Sequence, residues 1–200
     1  MAQPAAIPDG ENVESEGSAA SPGSFSRATP PRVQRGFAFL DLCGFTDFVD
    51  EHGDLAGLAE LATLRRILRE AAPLNAARID KWLGDGALLV GLDLGAVLST
   101  VLAVAREHGR QGRLPLRAGV AAGPAIMCDD DYVGRVVNLA ARLCDAARPG
   151  NVLLQLEEGF QLPDSVWVRP ASSLAIKGMS HPIPVVQLTP RPEGGDFPPR

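Results

Sequence analysis

Two acidic residues stand where a carboxylate is hard to explain by solubility alone. Asp41 closes the apolar run Phe37-Ala-Phe-Leu, and Asp85 sits in the turn of Leu83-Gly-Asp-Gly86. If the two segments pair, both carboxylates meet at one edge of a sheet. Carboxylates that close repel unless a cation joins them. Magnesium suits such a site, because it takes few protein carboxylates and completes its shell with water and phosphate oxygens. Asp before Gly is also an ordinary turn choice, whereas an acid ending a buried strand needs a partner. A second polar pair, Asn138 and Arg142, lies four residues apart in the apolar stretch Val136-Val-Asn-Leu-Ala-Ala-Arg-Leu143. On a helix that spacing puts both on one face. Arginine's planar, permanently charged fork suits phosphate, although an arginine there can equally pair with a structural acid.

Lysine usage adds a third signal. Of 19 basic residues only two are lysine, Lys81 and Lys177. A chain that otherwise uses arginine has kept lysine in two places.

The elements that must position these residues follow from periodicity. Gly36–Leu42 alternates and is aromatic, as a strand does. Leu58, Leu61, Leu64, Leu68 and Ala71 recur at helical spacing within 54–76. Residues 78–92 form two strands joined at Gly84-Asp-Gly86, a hairpin turn. Leu94, Val97, Val101 and Val104 define a second helix, 116–126 a strand, and 133–147 a third helix ended by Pro149-Gly150. Short strands are expected at 152–156, 165–168, 174–176 and 185–188. The resulting order is an α+β fold with a ferredoxin-like βαββαβ core and a C-terminal extension. Residues 1–34, rich in Pro, Ser, Gly, Ala and Glu, read as a disordered tail. One domain spans 35–190, and 191–200 is a flexible end.

Composition narrows the classes. A hydrophobic content of 46% with 22% charged residues is that of a soluble globular domain. A net charge of −5 argues against broad attraction to nucleic acid or anionic lipid. The apolar stretch 86–105 is long enough to span a bilayer, but Asp93 near its centre would cost roughly 2.5–3.5 kcal/mol there. It is read instead as a buried strand followed by a helix that Asp93 caps. Cys43, Cys128 and Cys144 are too few and too scattered for a disulfide framework or a zinc site, which points to a reducing, cytoplasmic location. The histidines, His52, His108 and His181, are read as surface or core residues.

The motifs then resemble a known family. Phe39-Leu-Asp-Leu-Cys-Gly-Phe-Thr46 resembles the F-x-D-x-x-G-F-T signature of class III adenylate and guanylate cyclases. Lys81-Trp-Leu-Gly-Asp-Gly86 resembles their K-x-x-G-D-G hairpin. The run Asp131-Tyr-Val-Gly-Arg-Val-Val-Asn-Leu-Ala-Ala-Arg-Leu143 resembles their D-Y-x-G-x-x-V-N-x-A-A-R-L helix motif. Ala175-Ile-Lys-Gly178 with Pro184-Val-Val-Gln-Leu188 is similar to the closing turn and last strand. The resemblance runs in order from about Phe37 to Leu188, and the short link Cys128-Asp-Asp-Asp131 is similar to the subgroup with a reduced dimerisation arm.

The resemblance implies an adenylate cyclase that converts ATP to 3′,5′-cyclic AMP and pyrophosphate. It implies Asp41 and Asp85 as ligands of two Mg2+ (or Mn2+) ions per site. Lys81 and Asp131 would read adenine, the lysine donating to ring N1 and the aspartate accepting from the exocyclic amine. Asn138 would orient the ribose, Arg142 would stabilise charge on the reacting phosphate, and Lys177 would hold the terminal phosphates. It further implies a head-to-tail homodimer whose sites are shared. Two other readings stand beside it: a guanylate or dual-specificity cyclase, and a catalytically silent cyclase-like domain that binds nucleotide or a partner. A nucleic-acid module would need a basic, aromatic-studded sheet, which this chain lacks.

Overall fold

A computed structural model of the chain describes residues 31–170, 173–175, 179 and 181–191. The strands are β1 (Arg32–Leu42), β2 (Ala77–Leu83), β3 (Gly86–Gly91), β4 (Leu116–Cys128), β5 (Asp131–Val133), β6 (Val152–Gln155), β7 (Val166–Pro170) and β8 (Val185–Pro190). The helices are α1 (Phe45–His52), α2 (Asp54–Leu74), α3 (Leu94–Gln111) and α4 (Arg135–Ala146). The sheet runs β2-β3-β1-β4-β6-β8-β7, with β5 added to β4. Its first four strands have the expected ferredoxin-like order.

Several elements depart from the sequence reading. β1 begins at Arg32, because its pairing with β4 runs from Arg32↔Ile126 to Leu42↔Leu116. The segment after β1 is a separate helix, α1, parted from α2 by Gly53 at φ 84°, a conformation costly for other residues. The expected strand at 174–176 is reduced among described residues to one bridge, Leu174↔Ile183. The stretch 86–105 divides into β3 and α3 as expected, and the Asp93 carboxylate accepts the Ala96 N–H at 2.9 Å as N-cap. No helix among the described residues is long and apolar enough to cross a membrane.

The sheet is covered on both faces, so β1 and β3 are apolar on both sides. One core joins Leu40, Leu42 and Leu89 to Leu64 and Leu68 of α2 and Leu98 and Val101 of α3. The other joins Phe37, Leu88 and Val90 to Leu139, Ala140 and Leu143 of α4. Buried Glu60 of α2 accepts the N–H groups of Arg113 and Leu114 at 2.8 and 3.1 Å, which fastens the entry to β4.

α4 lies unusually close to β4. A Cβ at Gly119 would stand 2.1 Å from Cys144 N and 2.3 Å from Ala140 O, both α4 backbone atoms. Gly119→Ala must therefore push α4 off the sheet. It is expected to destabilise the fold by about 1–3 kcal/mol or more, read as a lower urea midpoint, and to lower any activity that depends on α4.

Candidate functional site

Asp41 is the last but one residue of β1 and lies between Gly86 on β3 and Arg117 on β4. That register brings the β2–β3 turn, with Asp85, beside it. Burial raises the Asp85 pKa, and the charge of Asp41 raises it further. The two carboxylates thus sense each other at one end of the sheet, on and beside its central strand β1. Asp41 is not bare: Arg117 donates to its Oδ2 from Nε at 2.8 Å and from Nη2 at 2.5 Å.

The donors suit a hard divalent cation. They are carboxylate oxygens, and among described residues no group of three or more His, Cys, Asp or Glu converges. A metal held by two carboxylates must draw further ligands from water and a phosphate-bearing ligand, which is how magnesium binds. The nearby thiols are unsuited to nucleophilic work. Burial raises the Cys43 pKa, and it pushes Cys144 up to about 12.

Lys81 and Asp131 form the second part of the site. Lys81 Nζ lies 2.6 Å from Asp131 Oδ2, and Asp131 Oδ1 accepts its neighbour's backbone N–H, from Tyr132, at 2.7 Å. The Lys81 hydrogen bond is the main cause that holds the Asp131 carboxyl below the usual range. A β-bulge makes this pairing possible. Ile79 pairs with Leu89 and Lys81 with Leu88, so Asp80 is the extra residue. Ile79 and Trp82 then both pack against the α2–α3 core, although they are three apart. Arg78 and Lys81 share the opposite face, where Arg78 approaches the Tyr132 hydroxyl and Lys81 approaches Asp131. Asp80 is 1% exposed and sits 2.6 Å from Arg78 Nη2. Without the bulge, strict alternation would turn Lys81 away from Asp131.

Asn138 and Arg142 form the third part. Both are exposed, while Val136, Val137, Leu139, Ala140 and Leu143 of the same helix are buried. The polar stripe read from the sequence is therefore the outer face of α4. Arg142 Nη1 reaches Asp145 Oδ2 at 3.4 Å, a long contact between exposed groups that leaves the guanidinium accessible. Lys177 lies outside the described residues.

Two features escaped the sequence reading. The Asp80 bulge has no local signature, since an acid between Ile79 and Lys81 fits a regular strand. Arg117 did leave a signal: an arginine within the apolar run Leu116-Arg-Ala-Gly-Val120 needs a counter-charge.

The chain is 37% identical over 148 residues to a pH-sensitive adenylate cyclase of Mycobacterium tuberculosis, covering 71% of this chain and 36% of that protein. It is 30% identical over 171 residues to an uncharacterised protein of the same species, covering 84% of this chain and 44% of that one. It thus spans less than half the length of these curated relatives. Among solved structures, the adenylyl cyclase CyaB from P. aeruginosa superposes with a TM-score of 0.70 at 25% identity, over 84% of this chain and 100% of that one. The guanylate cyclase domain of RhGC from Catenaria anguillulae gives 0.66 at 17% identity, over 81% and 100%, a likeness of fold alone. No protein-family model matches the chain. A ferredoxin-like core with these neighbours is that of a nucleotide cyclase catalytic domain. With its motifs in order along that core, the chain belongs to the class III adenylate/guanylate cyclase family.

Asp85 also links site and stability. Its raised pKa means that ionisation is less favourable in the folded chain than in the unfolded one. Its stabilising contribution is therefore present at low pH and is lost as pH rises through the folded value. Asp85→Asn should unfold at the same or a higher temperature than wild type at pH 7, and the difference should vanish in acid. Thermal melts at both pH values test this.

Proposed function

We propose that the chain is an adenylate cyclase, forming 3′,5′-cyclic AMP and pyrophosphate from ATP at two equivalent sites of a head-to-tail homodimer. One observation carries the choice of base: Lys81 Nζ and Asp131 Oδ2 lie 2.6 Å apart, on two hairpins that β1 separates in the sheet. They offer a donor beside an acceptor. Adenine presents an acceptor at N1 beside a donor at its amine, whereas guanine presents the reverse at that edge.

Each residue then has a physical task. Asp41 and Asp85 would hold two Mg2+ or Mn2+ ions. Ions bound there would lower the pKa of the ribose 3′-hydroxyl and offset charge on the phosphates. Asn138 would orient the ribose so that its 3′-oxygen faces the α-phosphate in line, and Arg142 would stabilise charge on that phosphate. The Arg142 fork, in a long contact with Asp145, is exposed and accessible to do so. Lys177 would hold the departing pyrophosphate.

Sharing of sites between subunits is supported by the surface. Leu83 is 44%, Met127 47% and Val133 60% exposed, on the two hairpins that carry Lys81 and Asp131. A second copy would cover these apolar side chains. It would also bring its own Asp41 and Asp85 to the exposed face of α4.

Two experiments test this reading. Purified protein incubated with ATP and Mn2+ should yield cyclic AMP, and GTP should be turned over less well. Asp131→Asn should lower kcat/KM for ATP by about tenfold or more, the loss of one charged hydrogen bond, with a smaller effect on GTP. Asp41→Ala and Arg142→Ala chains, each inactive alone, should regain activity on mixing, because a heterodimer holds one complete site. Demonstrated heterodimers without activity would rule out shared sites.

A further inference from the structure

The end of α3, the entry to β4 and the exit of β8 enclose a cleft of about 770 Å3, a size at which small-molecule sites are found. α3 packs on the opposite face of the sheet from α4, and none of the described site residues lines the cleft. Four arginines do: Arg106 and Arg110 of α3, Arg113 before β4, and Arg191 after β8. No acidic residue among the described ones lines it, although the chain as a whole has a net charge of −5. Leu114, Pro115 and Pro190 give the walls an apolar part.

The walls are fixed by backbone hydrogen bonds. Glu60 accepts the N–H groups of Arg113 and Leu114 at 2.8 and 3.1 Å. The Gly150 N–H donates to the Leu116 carbonyl at 2.9 Å, and the Arg191 N–H to the Ser165 carbonyl at 3.0 Å. Among the arginines, Arg110 is partly answered by Glu107 at 3.2 Å. Arg191 donates from Nε to the Val166 carbonyl at 3.1 Å. Arg106 Nε is buried with no hydrogen-bond partner among the described residues. A basic residue in the last turn of a helix complements its dipole. That accounts for Arg110, but not for Arg106 a turn earlier, nor for Arg113 and Arg191 outside the helix.

We propose that this cleft binds an organic phosphate of nucleotide size. Arg106, Arg113 and Arg191 hold the phosphoryl group, because a guanidinium fork matches phosphate oxygens and never loses its charge. Leu114, Pro115 and Pro190 cover the less polar body of the ligand, a gain that an inorganic anion does not offer. The site goes beyond the cyclase reading and does not rest on it, since it needs no metal and uses neither Lys81, Asp131 nor α4.

The test is a titration of the whole, isotope-labelled chain with AMP in EDTA, followed by NMR at the amides of Gly109, Gly112 and Gly150, which line the cleft. AMP carries a phosphate but has no pyrophosphate to lose. These amides should shift saturably with AMP and not with adenosine, and AMP should bind about tenfold or more tightly than inorganic phosphate. Arg106→Gln and Arg113→Gln should each weaken AMP binding about tenfold, the scale of one charged hydrogen bond. Circular dichroism checks both folds, and exposed Arg113 keeps the test decisive if Arg106→Gln unfolds. Asp131→Asn should leave the cleft shifts unchanged. The proposal is overturned if the amides do not move at millimolar AMP, if adenosine moves them equally, or if folded Arg113→Gln binds AMP as wild type does. It also fails if inorganic phosphate binds as tightly as AMP, or if Asp131→Asn abolishes the shifts, which would assign the binding to the Lys81–Asp131 pair.

Discussion

Two carboxylates share one end of this sheet, and the partial burial of Asp85 beside the charge of Asp41 is the constraint around which this region is arranged. The register of β1 with its two neighbours puts Asp41 beside the turn that carries Asp85. Asp41 is held within β1, and Asp85 lies in the short turn that joins β2 to β3. Positive charge must therefore come to them. Within the chain it comes from Arg117 on the adjacent strand. Burial raises the pKa of the partly buried Asp85, the charge of Asp41 adds to the shift, and that of Arg117 opposes it. In the function proposed above, a divalent cation would supply further positive charge here.

The second set of residues is separated from the first by the sheet's geometry. Lys81 and Asp85 are four residues apart, yet they face different neighbours. Asp85 is in the turn beside Asp41, and Lys81 is turned by the Asp80 bulge towards Asp131 on β5. One hairpin thus contributes to two separate groups of polar side chains. At the bulge, the Asp80 side chain is 1% exposed and lies 2.6 Å from Arg78 Nη2. The face of α4 that carries Asn138 and Arg142 is open, because the opposite face is committed to the core through the Gly119 contact. A surface with apolar side chains exposed beside charged ones is what an association partner would cover.

Much of this was legible in the chain. The alternation of 36–42, the helical spacing around Leu64 and Leu68, and the Gly-Asp-Gly turn marked the elements. The Asn138–Arg142 spacing marked a polar stripe on an apolar helix, and α4 turns that stripe outward. Asp93 read as a cap is the cap of α3. What was not legible was mostly non-local. α1 is separate because Gly53 turns the chain, and a glycine alone does not announce that. The strand expected at 174–176 is only a bridge among described residues, because short apolar runs near an edge do not specify their partner.

The sequence by itself determined which chemistry is available: two acids at strand ends, two lysines kept among arginines, and an Asn-Arg stripe on one helix face. Residue type and short-range period carry that information, since they depend only on side-chain chemistry and local geometry. The tertiary structure alone decided which groups meet. Asp41 and Arg117 are 76 positions apart, and their contact exists only because β1 and β4 pair in one register. The pairing of Lys81 with Asp131 depends on the bulge at Asp80, a register shift between β2 and β3. Register and burial are properties of the assembled sheet, where each strand's position is set by the faces its neighbours must hide.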